Sequence, residues 1–89
     1  MNYEKEYKKY KKLGFNENQI YQIYQGLLDG VDVSIYTNLK FNHIQMFEIR
    51  MGLRAGIDVS LYLNPEITNL EMTNIRFYLT RRKAAGLCY

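Results

Sequence analysis

The 89 residues leave room for one compact domain, and 47% apolar content is ordinary for a chain that folds around a core. A single cysteine, Cys88, excludes an internal disulfide, and no apolar run reaches the length of a membrane span. The net charge of +3 is unevenly spread: five lysines against two glutamates give +3 in residues 1–12, three cations against seven acids give −4 in 13–75, and four cations give +4 in 76–89.

Residues 1–14 read as an amphipathic helix. Tyr3, Tyr7 and Tyr10 fall at i, i+4 and i+7, lysines fill the other faces, and Gly14 is the stop after Leu13. The segment is charged and tyrosine-rich, with no apolar signal-peptide core, so the expected location is the bacterial host cytoplasm. Nine tyrosines against four phenylalanines and no tryptophan supply rings that pack and hydroxyls that seek a partner.

Residues 15–40 form a unit that residues 41–66 repeat without a gap. Twelve of 26 positions are identical, among them Gly26/Gly52, Gly30/Gly56, Asp32/Asp58, Ser34/Ser60 and Tyr36/Tyr62. A third copy begins at Ile67 and follows the pattern through Met72 and Ile75. Each copy opens with an N-cap (Asn16, Asn42 or Thr68), whose side-chain oxygen can accept from an orphan backbone N–H. Three residues on stand Gln19, Gln45 and Glu71, which complete capping boxes. Phe15, Phe41 and Ile67 precede the caps, and Ile20, Met46 and Met72 follow at the spacing of a hydrophobic staple. Ile20, Ile23 and Leu27 then make one apolar face, repeated as Met46, Ile49 and Leu53.

Gly30 and Gly56 suit the left-handed ends of helices of about 13 residues, roughly 20 Å long at 1.5 Å per residue. Gly26 and Gly52 lie inside those helices, where glycine costs about 1 kcal/mol relative to alanine. Their recurrence points to close packing against a neighbouring element, in preference to a ligand surface. The segments Val31–Tyr36 and Ile57–Tyr62 share the pattern V/I-D-V-S-x-Y. Alternating apolar residues would fit a strand, but two isolated five-residue strands do not make a stable sheet. A short helix or 3₁₀ turn is preferred, capped by Asp32 or Ser34 and by Asp58 or Ser60. Tyr36 and Tyr62 are expected to pack between successive long helices.

In residues 67–89, Tyr78 replaces the mid-helix glycine and Arg82 the terminal one, so the last helix can run on through Ala84 and Ala85 to Gly86. The whole reads as an all-α chain: a short helical-repeat stack, with a long plus a short helix per 26-residue unit and capping helices at both ends.

The pattern G-L-x-x-G-[VI]-D-V-S-x-Y (Gly26–Tyr36 and Gly52–Tyr62), with Q-[IM]-x-x-I at Gln19–Ile23 and Gln45–Ile49, resembles a helical repeat. That repeat occurs in tandem in uncharacterised proteins of Gram-positive bacteria, their phages and conjugative elements. The resemblance covers about residues 15–79 and implies a helical fold and a mobile-element context, but no reaction. Short proteins in such a context include inhibitors of host defence such as anti-CRISPR proteins, an analogy of context rather than of site.

The sequence offers no catalytic constellation. His43 and Cys88 have no partners for nucleophilic chemistry, and together they fall short of the three or four ligands zinc requires. His43 is expected to be exposed in a first helical turn, and Cys88 to be a terminal thiol. No lysine and serine or threonine follow Gly26 or Gly30 as in a phosphate-binding loop. No cofactor or metal is expected. The best candidate contact is the basic, aromatic stretch Arg76, Tyr78, Arg81, Arg82 and Lys83, either a solvated helix end or a site for an acidic protein surface or a phosphate backbone. The expectation is a non-enzymatic protein-binding module, its partner a host defence or nucleic-acid enzyme. Nucleic-acid binding is the alternative.

Overall fold

The computed structural model describes residues 2–86, and those residues form four α-helices and two short 3₁₀ turns with no strand. The elements run α1 (Tyr3–Lys12), α2 (Glu17–Asp29), a 3₁₀ turn (Val33–Ile35), α3 (His43–Ala55), a second 3₁₀ turn (Val59–Leu61) and α4 (Asn69–Ala84). Each long helix packs against its neighbour in chain order, and each 3₁₀ turn packs back on the helix that precedes it. The Cα atoms extend over 42 × 27 × 15 Å. Cys88 lies outside the described residues.

Local chemistry sets the helix starts. Asn16 Oδ1 accepts from the Gln19 N–H at 2.8 Å, and Gln19 Oε1 accepts from the Asn16 N–H at 2.9 Å. Asn42 and Gln45 repeat both bonds at the same distances. Thr68 and Glu71 complete a third capping box. The helix ends are equally local: Gly30 and Gly56 take φ of 79° and 71°, the left-handed region that side chains other than glycine rarely adopt.

The V-D-V-S-x-Y segments are the expected short turns. Asp32 and Asp58 are the caps, each accepting a backbone N–H bond at 3.1 Å from the serine two residues on. The Ser34 and Ser60 hydroxyls donate to the same carboxylates instead of capping the turns themselves.

Each turn delivers a tyrosine to the core. Tyr36 and Tyr62 are fully buried, and their hydroxyls donate to the carbonyls of Gln22 and Glu48, both at 2.8 Å. Those hydroxyls lie over Gly26 and Gly52. A Cβ at either glycine would overlap the tyrosine Oη and come within 2.7 Å of Cγ1 of Val33 or Val59. Burial raises both phenol pKa values above 10. The nearby Arg50 and Arg76 guanidiniums oppose that rise, and the Asp29 and Glu48 carboxylates add to it.

Around this pair runs one core: Phe15, Ile20 and Ile23, then Phe41, Met46 and Ile49, then Met72 and Leu79. Leu27 and Leu53, placed by sequence on the same face, are half-buried, and Leu53 packs against the core. The α1 tyrosines dock on the first unit. Tyr10 packs edge-on to Phe15, Tyr3 packs edge-on to Tyr24, and the Tyr7 hydroxyl donates to Glu17 at 3.3 Å. No helix among the described residues is long and apolar enough to cross a membrane.

Candidate functional site

Polar contacts between consecutive long helices recur at the 26-residue spacing, and they decide which charges reach the surface. Gln19 Nε2 donates to the Phe41 carbonyl at 2.8 Å, and Gln45 Nε2 to the Ile67 carbonyl at 2.7 Å and the Pro65 carbonyl at 3.0 Å. Each glutamine thus serves its own capping box and ties its helix to the start of the next unit. On α3, Arg50 Nε donates to Gln22 of α2 at 3.1 Å, while its Nη1 pairs with Asp29 at 2.7 Å. On α4, 26 residues later, Arg76 Nε pairs with Glu48 of α3 at 2.6 Å. The carboxylate therefore comes from the position of Asp29 in the first pairing and from the position of Gln22 in the second. Alanine, Ala55, stands where the second unit would repeat Asp29.

This pairing removes Arg76 from the expected contact surface. Its side chain is largely buried between α3 and α4, with its guanidinium 4.8 Å from the Phe77 ring centre. At that depth the carboxylate compensates the hydration that the guanidinium has lost. Lys83 is exposed but partly engaged, since its Nζ donates to the Gly56 carbonyl at 3.2 Å and so completes the C-terminal end of α3.

Tyr78, Arg81 and Arg82 do come together on the outer side of α4. Tyr78 is exposed, the Arg82 guanidinium lies 5.5 Å from its ring centre, and Arg81 is exposed beside them. Two residues that the sequence reading passed over complete the surface. Leu70 is 69% and Phe77 49% exposed, and with Arg81 they share one face of α4, at spacings of seven and four residues, with Tyr78 at its edge. The signal was present in the repeat columns, which read Asn18, Ile44, Leu70 and Gln25, Met51, Phe77. Both turn apolar toward the end of the chain.

His43, the first residue of α3, is half-buried rather than exposed. It lies one turn before the buried Met46 and shares that side of the helix. No group of three or more His, Cys, Asp or Glu that would hold a metal ion occurs among the described residues. Hollows among the described residues include two on the surface. One, of about 350 Å³, is lined by Tyr7, Lys8, Lys11 and Lys12. The other, of about 260 Å³, lies between α3 and α4 and is lined by Met51, Arg54, Ala55, Arg76 and Thr80. Neither gathers an acid–base pair or a nucleophile with its base. The chain matches no family model, no curated protein and no solved structure.

Proposed function

We propose that this protein is a non-enzymatic binding module that engages another protein through the outer face of α4. The supporting observation is the patch of Leu70, Phe77 and Tyr78 bordered by Arg81 and Arg82. Large apolar and aromatic side chains held on a helix and flanked by arginine are the composition of interface anchors. The sequence resemblance to repeats of phages and conjugative elements supports a narrower form, in which the partner is a host defence or nucleic-acid enzyme inhibited by having a surface occupied.

The test is affinity capture from a Gram-positive host lysate, with the native chain and a Phe77→Asp/Tyr78→Asp variant in parallel. A protein identified by mass spectrometry should be retained by the first and lost by the second, and should bind the purified native chain directly. Equal recovery on both baits would overturn the proposal.

A second reading, contact with a phosphate backbone, is favoured by the clustering of Arg81, Arg82 and Lys83 in the last turn of α4. Gel shifts at two salt concentrations test it, because phosphate contacts weaken steeply as salt rises.

A further inference from the structure

The outer face of α4 carries the strip of positions through which α2 and α3 each receive the following helix, with Leu70 beside them in a column (Asn18, Ile44, Leu70) that is exposed on all three helices. On α2 the strip presents Gln22 and Asp29 to Arg50 of α3. On α3 it presents Glu48 to Arg76 of α4. Twenty-six residues on, α4 presents Asn74 and Arg81, with Leu70, Phe77 and Tyr78 around them, all exposed. The geometry of a helix seat is retained while its chemistry is inverted. A cation stands where Asp29 supplied a carboxylate, and Tyr78 fills the place that Gly26 and Gly52 leave open for a tyrosine hydroxyl.

A further unit of the same kind is a poor match there. Its arginine would face the Arg81 cation with only the neutral Asn74 amide, at the place of Gln22, as acceptor. A second copy of α4 is also a poor match. In a parallel pairing, Arg81 and Arg82 would face their own equivalents. In an antiparallel pairing they would meet only Glu71, whose carboxylate already accepts from the Thr68 hydroxyl at 2.9 Å and sits at a positive helix end. A duplex would use the cations of the last turn and leave Leu70, about three turns earlier, without a partner.

We infer that α4 seats an amphipathic helix of a partner protein, one whose apolar stripe covers Leu70, Phe77 and Tyr78 and whose flank carries Asp or Glu toward Arg81 and Arg82. The inference rests on the protein-binding reading and names the chemistry of the partner. From Leu70 to Arg81 the strip is about 16 Å long at 1.5 Å per residue, which calls for about three turns of partner helix.

The probes are three fluorescein-labelled peptides of about 18 residues, long enough for five turns. One has leucines at i, i+3, i+4 and i+7 flanked by glutamates. The second replaces the glutamates with lysines. The third scrambles the first so that no helical stripe remains. Fluorescence anisotropy should show the acidic amphipathic peptide binding at least about tenfold more tightly than the other two, a difference of about 1.4 kcal/mol. Phe77→Ser should weaken that binding about tenfold, and Arg81→Glu should shift preference toward the lysine peptide. Both positions are exposed, so an unchanged helical circular dichroism signal is expected for both variants.

Equal affinity for the scrambled peptide overturns the inference, as does tighter binding of a DNA duplex or self-association abolished by Phe77→Ser. Suppose a captured partner depends on Phe77 and Tyr78 but the acidic peptide neither binds nor displaces it. Protein binding then stands and the acidic-helix assignment fails. Absence of both bindings defeats both.

Discussion

Replacing Gly26 with alanine sets two effects of opposite sign against each other. Helix propensity alone favours the change by about 1 kcal/mol, since glycine inside a helix is the more costly residue. The structure opposes it. The new Cβ would occupy the space of the fully buried Tyr36 Oη and stand 2.7 Å from Cγ1 of the half-buried Val33. Relief requires the Tyr36 ring to move and its bond to the Gln22 carbonyl to break, a loss of about 1–1.5 kcal/mol. Overpacking the site adds about 1–3 kcal/mol. The clash outweighs propensity, and Gly26→Ala should destabilise the fold by about 1–3.5 kcal/mol, lowering Tm by about 4–8 °C for each kcal/mol in a domain of this size.

Thermal and urea unfolding followed by helical circular dichroism measure the effect, and Gly52→Ala should reproduce it. In a Tyr36→Phe background, which lacks the hydroxyl, Gly26→Ala should cost about 1 kcal/mol less, a coupling that a double-mutant cycle resolves. An unchanged or raised Tm for Gly26→Ala would refute the close-approach argument.

Glu48→Gln leaves Arg76 with no carboxylate and should cost about 2–4 kcal/mol, while adding Ala55→Asp, which rebuilds the Gln22–Asp29 arrangement around Arg50, should recover at least about 1 kcal/mol of that in urea unfolding. The Tyr36 and Tyr62 phenols titrate above their unfolded value of 10, so the stability they contribute is complete below pH 10 and is lost as pH rises toward their folded values. Unfolding midpoints should therefore fall with increasing pH above 10, and Tyr62→Phe should make that fall shallower. Gln45→Ala removes two bonds to the Pro65 and Ile67 carbonyls and should cost about 1–3 kcal/mol, whereas Leu70→Ser on the outer face should change stability by less than about 0.5 kcal/mol.

What could be read from sequence was what depends on near neighbours. Capping boxes and glycine ends involve residues at most five apart, so the starts at Asn16, Asn42 and Thr68 and the ends at Gly30 and Gly56 were legible before any tertiary contact was known. The mid-helix glycines were legible as close approaches. The approaching atom was not, because the Tyr36 hydroxyl arrives from a turn ten residues away. Arg76 was misplaced for a related reason. Composition shows a charge but not its direction, and the acceptor Glu48 lies 28 residues back. The half-buried His43 was hidden likewise, since exposure in a first turn depends on what packs across it.

The aligned columns hold more of this information than either unit alone. Gln22–Arg50 and Glu48–Arg76 are one contact displaced by 26 residues, so a polar residue at one column and an arginine 28 positions later mark a helix pair. Read forward, the same rule describes how the series closes. In the third copy Asn74 stands at the column of Gln22 and Glu48, and Arg81 at the column of Asp29 and Ala55. The column of Gly26 and Gly52 ends in Tyr78. Two substitutions, one at the position where Asp29 joins α2 to α3 and one where Gly26 and Gly52 admit a tyrosine of their own unit, thus give α4 a different outer face. The physical link between fold and proposed function lies there: the registry that gives α2 and α3 their partners leaves α4 with a cationic and aromatic outer face that is exposed among the described residues.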